Sequence, residues 1–352
     1  MKRGLVQLDP AEIPEREWHD RVGSLQRDLA TSGVDVALIY GDVSRSDDIA
    51  YLTNLCVYWN EGILAVPAAG APVFLTKLSA RVHPWMRLIS TVAEIRSGRG
   101  FGELAGKFLG DSGAGTVGLI DADLWPASVA GEIRDALPGW QMRPLDGLVR
   151  AHRQSPSESE LTLLRRGAGL LDQVAAQAAA DGLTPAERIA LAERELRGHG
   201  FLDVLASVTR TADGVATIQV TGQYRYLWLH VSRVADGQRT AWPAWAGELR
   251  AAIGAAAAAA TPGATGADLQ DTVRPLLASL PPGASVSVRW VHLADMATNG
   301  EYASYPADLP LAPRSAVVVS VEVRFADGRY ATAAETVLVG EHGPAWLTGG
   351  AR

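Results

Sequence analysis

Two glutamates in this chain stand where carboxylates are hard to place. Glu322 interrupts the apolar run Val317-Val318-Val319-Ser320-Val321-Glu322-Val323, and Glu335 interrupts Ala333-Ala334-Glu335-Thr336-Val337-Leu338-Val339. Both runs read as buried strands, and an isolated buried charge is very costly. Each carboxylate must therefore be ion-paired, protonated or metal-bound. Arg233, Arg324 and Arg329 could serve as structural partners. Two such groups on adjacent strands also suit a functional cluster. His292 closes the strand-like run Val288-Arg289-Trp290-Val291. His230 alternates with Trp228 and Ser232, on the strand face that Tyr224 and Tyr226 would share. Either histidine could be a core residue satisfied by a neighbour. Together, two imidazoles and two carboxylates could do acid/base chemistry or hold one first-row divalent metal.

The remaining composition narrows the setting. The chain has 352 residues, longer than one hydrophobic core usually supports, so two domains are expected. Hydrophobic residues make up 47% and charged residues 20%, which marks a packed globular protein. Acids exceed bases by 39 to 32, giving a net charge of -7. That balance, without a long basic run, argues against nucleic acid or an anionic membrane as the main partner. The single cysteine, Cys56, excludes an internal disulfide and a thiolate metal cluster. Its apolar neighbours Leu55 and Val57 suggest a buried thiol in a reducing compartment. The first residues lack the apolar core of a signal peptide, and no apolar stretch has the length to span a bilayer. A cytoplasmic location is the expectation. The other histidines, His19, His83, His152, His199 and His342, fall in polar or turn-like contexts and read as surface residues.

The elements that would position these groups follow from periodicity. Helical spacing runs from Trp18 to Ser32, and a short β-branched strand from Val34 to Tyr40. The strands Ile63–Pro67 and Pro72–Leu75 flank a hairpin-like break, and Thr116–Ile120 precedes a helix near residues 126–137. Ser155, Pro156 and Glu158 form a capping signal that opens a long helix, and Thr184-Pro185-Ala186-Glu187 repeats it. Strands are expected over 216–220 and 224–234, broken at Thr221-Gly222-Gln223. An Ala-rich helix covers 245–260, and Thr265 with Asp268 caps the next. Strands over 315–325 and 331–339 close the chain.

The order of these pieces resembles the creatinase/prolidase/aminopeptidase P superfamily. The pieces are Gly33-Val34-Asp35-Val36-Ala37-Leu38-Ile39, Ile49-Ala50-Tyr51-Leu52-Thr53-Asn54, Ser155-Pro156-Ser157-Glu158, Thr261-Pro262-Gly263-Ala264-Thr265 and Ala334-Glu335-Thr336-Val337-Leu338-Val339. The resemblance implies an α/β creatinase-like N-terminal domain over 1–153 and an α+β pita-bread domain over 154–352. It also implies a site on the concave face of a curved sheet, and commonly a homodimer. Peptidases of the superfamily bind two metals through Asp, Asp, His, Glu and Glu. Here the first aspartate position falls on Val220, or on Gln219 if the register slips, and the second falls on His230. His292, Glu322 and Glu335 match the remaining ligands.

These matches imply a divergent member without a dinuclear site. The expected function is a creatinase-like, metal-independent hydrolase or lyase acting on a small nitrogen-containing, amino-acid-derived substrate. The alternatives are a catalytically inactive binding or scaffold protein and a one-metal enzyme resembling aminopeptidase P. The candidate catalytic set is His230, His292, Glu322 and Glu335, which would also be the ligands of a single divalent metal; the leading expectation is no cofactor. Arg233, Tyr224, Tyr226 and Trp228 would rim the pocket. Tyr58 and Trp59 are expected to add aromatic walls, through the partner subunit of a dimer. The four central residues are expected to converge on one pocket.

Overall fold

The computed structural model describes residues 8–57, 60–110, 114–235, 242–296 and 305–349. Chain contacts divide it into two units, Met1–Arg153 and Gln154–Arg352.

In the first unit, a six-stranded sheet is built in the order β4-β3-β2-β1-β5-β6. The strands are β1 (Val36–Gly41), β2 (Gly62–Pro67), β3 (Val73–Thr76), β4 (Glu94–Ser97), β5 (Thr116–Ile120) and β6 (Gln141–Leu145). The β1–β2 and β2–β3 pairs are antiparallel, whereas β5 runs parallel to β1 and β6 to β5. β1 and β2 read as continuous apolar runs because both of their faces are covered. The helices are α1 (Glu15–Thr31), α2 (Asp47–Thr53), α3 (His83–Ile89), α4 (Phe101–Leu109), α5 (Ala127–Ala136) and α6 (Leu148–Arg153). Helix α1 buries Trp18, Leu25 and Leu29 at helical spacing. Cys56 is a buried free thiol. His83 is buried as well, contrary to the surface reading: its ring bonds Ser97 Oγ at 2.7 Å as α3 folds down.

The second unit opens with two helices, α7 (Glu158–Ala179) and α8 (Pro185–Gly198). Thr184 and Glu187 cap α8 as the spacing predicts. The α7 cap lies two residues beyond the expected Ser155 and Glu158. Ser157 and Glu160 form the capping box instead. Both pairs have the right spacing, but the buried Glu160 also accepts a bond from Tyr226 Oη at 3.0 Å, and that tertiary contact selects the later pair.

The sheet of this unit has seven strands, ordered β10-β11-β12-β9-β8-β7, with β13 attached to β12. They are β7 (Phe201–Arg210), β8 (Ala216–Tyr224), β9 (Leu227–Val234), β10 (Ser285–His292), β11 (Ala316–Arg324), β12 (Tyr330–Gly340) and β13 (Gly343–Trp346). The break expected at Thr221-Gly222-Gln223 lies inside β8. Gly222 is there for close approach, because a Cβ on it would stand 2.6 Å from the Phe201 ring. The chain turns at Arg225 and Tyr226, where Arg225 has a φ of 57°. Helices α9 (Ala244–Ala258) and α10 (Gly266–Val273) pack on the β10–β12 half, burying Val317, Val319, Val321, Ala333, Val337 and Val339. Helix α7 packs on β8 and β9.

Candidate functional site

The sheet of the second unit has two unlike faces, and strand alternation assigns every residue to one of them. On the helix face, Val317, Val319 and Val321 of β11 lie opposite Val337, Glu335 and Ala333 of β12. Glu335 therefore points toward the helices, and its neighbour Ala334 points to the far face. Across the next seam Ser232 pairs with Ala334, so Arg233 shares the helix face with Glu335.

The helix face holds a buried charged network. Arg233 grips Glu335 with two nitrogens, at 2.7 and 2.8 Å, and also bonds Asp172 of α7. Thr348 Oγ1 donates to Glu335 Oε2 at 2.7 Å, and the Gly349 amide donates to Asp172 Oδ2 at 3.2 Å. Burial pushes the Glu335 carboxyl above the usual carboxylate range, against the pull of the Arg233 guanidinium.

The far face is neutral at its centre. One row across six strands reads Arg289, Ser320, Ala334, Ser232, Gln219 and Ser207. The adjacent row includes Val318, Thr336, His230 and Thr221. His230 is 2% exposed, and its Nδ1 lies 2.8 Å from Thr221 Oγ1 in a hydrogen bond. Burial, reinforced by the nearby Arg233 charge, lowers its pKa to about 3, so the imidazole is neutral at physiological pH.

This arrangement separates the four residues expected to converge. His230 and Glu322 share the far face but not a site. His230 exchanges bonds with Thr336, while Glu322 pairs with Thr332. That is two strands sideways and four residues along, or roughly 16 Å between backbones. Glu322 is instead held by the side chains of Arg289 at 3.5 Å and Arg324 at 2.8 Å. His292 lies on the helix face, paired with Val317, and its ring meets Trp290 and Tyr305 edge to face. Its Nδ1 is buried without a hydrogen bond among the described residues, and burial lowers its pKa. Among the described residues, no group of three His, Cys, Asp or Glu side chains is placed to hold a metal ion. The four residues His230, His292, Glu322 and Glu335 are therefore not brought together as the ligands of one metal.

The proposed rim is corrected as well. The reversal at Arg225 and Tyr226 puts Tyr224 and Trp228 on different strands, so no single stripe exists. Tyr224 lies 5.2 Å from the Phe201 ring, and Tyr226 bonds Glu160 of α7. Trp228 pairs with Gln223 on the far face, near His230. Arg233 is a buried network residue, not a rim residue. Tyr58 and Trp59 lie outside the described residues. The strand register also decides the first aspartate position: Gln219 lies on the face of His230, whereas Val220 is fully buried on the helix face. Sequence reasoning missed the Thr336–Thr348 pair. Only its hydroxyl spacing around a hairpin could have signalled it.

Comparison with known proteins fits this architecture. Residues 21–155 match the Creatinase/Prolidase N-terminal domain. An X-Pro aminopeptidase from Thermotoga maritima has a similar structure, with a TM-score of 0.74 at 17% identity, over 93% of this chain and 97% of that one. A Xaa-Pro dipeptidase from Bacillus anthracis also gives 0.74, at 15% identity over 95% and 98%. A dipeptidase from Mycobacterium ulcerans gives 0.68 at 17% identity, over 97% of each chain. No curated protein matches the sequence. The fold is thus an α/β creatinase-type domain followed by a pita-bread domain, that of the M24 peptidase-like hydrolases. The family match over residues 21–155 and the shared fold support a creatinase/prolidase/aminopeptidase P-like relationship.

Proposed function

We propose that this protein is a divergent M24 peptidase-like hydrolase that handles a small, amino-acid-derived nitrogen compound without a dinuclear metal site. One observation carries the reading. The two central rows of the far face offer an imidazole, hydroxyls, an amide and, at the β10 edge, the Arg289 guanidinium, whereas two close divalent cations need several anionic oxygen ligands. His230, with its ring steadied by Thr221, is the group on that face suited to hydrogen-bond a ligand. The neighbouring X-Pro and Xaa-Pro enzymes suggest amide-bearing substrates.

The test is turnover of Xaa-Pro dipeptides and N-substituted amino acids, with and without chelator, alongside metal analysis. Chelator-insensitive turnover of one of these compounds supports the proposal. Activity that needs two equivalents of manganese, cobalt or zinc overturns it. The second reading is a binding protein without catalysis, favoured by the strongly depressed pKa of His230, which makes it a weak base. Ligand-induced thermal stabilisation without turnover would select it. We further propose a cytoplasmic homodimer. Light scattering that shows a stable monomer at micromolar concentration refutes the dimer.

A further inference from the structure

The join between β9 and β12 divides the sheet into two halves, and its backbone pairing is sparse. Ser232 and Ala334 form the one ladder pair between these described strands, against nine pairs between β11 and β12 and eight between β8 and β9. Side chains do the fastening instead. Arg233 Nη1 donates to the Ala334 carbonyl at 3.1 Å, and Ser232 Oγ donates to the Thr332 carbonyl at 2.8 Å. Thr336 Oγ1 donates to the His230 carbonyl at 2.6 Å and accepts from the His230 amide at 3.4 Å.

Thr336 is itself tied from the other side. Its amide donates to Thr348 Oγ1 at 2.8 Å, and its carbonyl accepts from the amides of Leu347 and Thr348 at 3.0 and 3.2 Å. Thr348 Oγ1 passes its own proton to Glu335 Oε2, which Arg233 holds. A continuous chain of bonds therefore runs from Asp172 through Arg233, Glu335, Thr348 and Thr336 to His230 and Thr221. Every link except Asp172 is buried. Thr348 occupies the middle of it. Its hydroxyl is both donor and acceptor, and no apolar side chain of that shape can do both.

We infer that Glu335, Arg233 and Thr348 are positioning residues: they fasten the β9–β12 seam and thereby hold His230 on the far face. Glu335 thus acts through other groups and does not touch a ligand. The segment Leu347–Gly349 is the clasp that closes the chain of bonds. The inference concerns the site of the proposed function, but its test reads structure and not turnover, so each can fail separately.

The test compares the full chain with its Thr348→Val, Thr348→Ser and Glu335→Gln variants by amide hydrogen exchange and by the imidazole NMR signals of His230. Thr348→Val should speed exchange in 228–234 and 332–338 about tenfold while β7 and β10 stay within about twofold, because the links it breaks are local. The His230 signals should move with it. Thr348→Ser keeps the hydroxyl and should restore both readouts. Exchange at the seam within about twofold of the parent overturns the inference, as does an equal rise across the whole sheet or a failure of serine to rescue. Where Thr348→Val does not fold, Glu335→Gln carries the test. It keeps the side-chain shape but replaces one oxygen that accepts from Arg233 or Thr348 by an NH2, and selective loosening of the seam is again the required result.

Discussion

On the helix face of the seven-stranded sheet, Arg233, Asp172 and Glu335 form a charged trio enclosed by α7 and the segment Leu347–Gly349. One residue away on the same strands, the far face presents Ser232 and Ala334. Two carboxylates lie beside these rows among the described residues: Asp203, buried and paired with Gln223, and Glu322, off-centre between arginines that are 60% and 57% exposed. The two glutamates look alike in sequence, yet one is locked into the core by a buried arginine and the other is partly buried between exposed ones. Face decides their role, and face follows from a register that changes completely with a one-residue shift.

The most severe way to break this comparison is to remove Arg233. Arg233→Met would leave Asp172 and Glu335 facing each other without a counter-charge. Loss of one partner from a buried ion pair costs on the order of 3–5 kcal/mol. Denaturant unfolding should show a loss of that order. A change under about 1 kcal/mol would mean that the trio is not enclosed.

A smaller effect is expected at Gly349. Its φ of 75° lies in the left-handed region, and a Cβ there would collide with the Glu335 carboxylate. Gly349→Ala should destabilise by about 1–3 kcal/mol, from backbone strain together with overpacking. A neutral outcome would show that the carboxylate can swing aside, which would weaken the contrast between the two glutamates.

Much of the fold was legible in advance because its signals are local. The Thr184–Glu187 and Thr265–Asp268 caps, the β5 strand and the Ala-rich α9 lie where spacing places them. The site was less legible. Alternation reveals that Glu335 and Ala334 point to opposite faces, but not which face carries helices. That depends on contacts such as Arg233 with Asp172, which are 61 residues apart. The aromatic stripe failed for a related reason: the turn at Arg225 has no glycine or proline to announce it, and it resets the alternation between Tyr224 and Trp228. His292 fell on the helix face because the β10–β11 register aligns it with Val317 in the core.

Acid titration sharpens the far-face side of the comparison. His230 binds a proton near pH 6.5 when unfolded, but only near pH 3 when folded. Between those values the unfolded chain holds more protons, so the stability contributed by this group is complete above about 6.5 and declines as pH falls toward 3. His292 and His83, also lowered by burial, act in the same direction. Glu335 and Asp48 are raised by burial and act in the opposite direction, favouring the folded state as they protonate. Comparing the parent with His230→Asn cancels these common contributions. The difference should be a slope of up to one proton, about 1.4 kcal/mol per pH unit, between pH 4 and 6. Equal slopes in the two proteins would mean that His230 is solvated and charged when folded.

The mildest effect is expected at Glu322. Its carboxylate is reached by Arg324 at 2.8 Å and by Arg289 at 3.5 Å, and both arginines remain largely in water. Ion pairs of this kind are worth about 0–1 kcal/mol, because solvent screens the attraction and holding long side chains in place costs entropy. Glu322→Gln should therefore shift stability by less than about 1 kcal/mol, and added salt should shrink the difference further. The same substitution at Glu335 sets an amide NH2 against the enclosed donors of Arg233 or Thr348 and should cost several times more. Paired unfolding curves of the two variants make the comparison direct. If Glu322→Gln proves the costlier, or if it abolishes turnover while Glu335→Gln does not, then Glu322 belongs to the working site and the neutral reading of the far face is wrong.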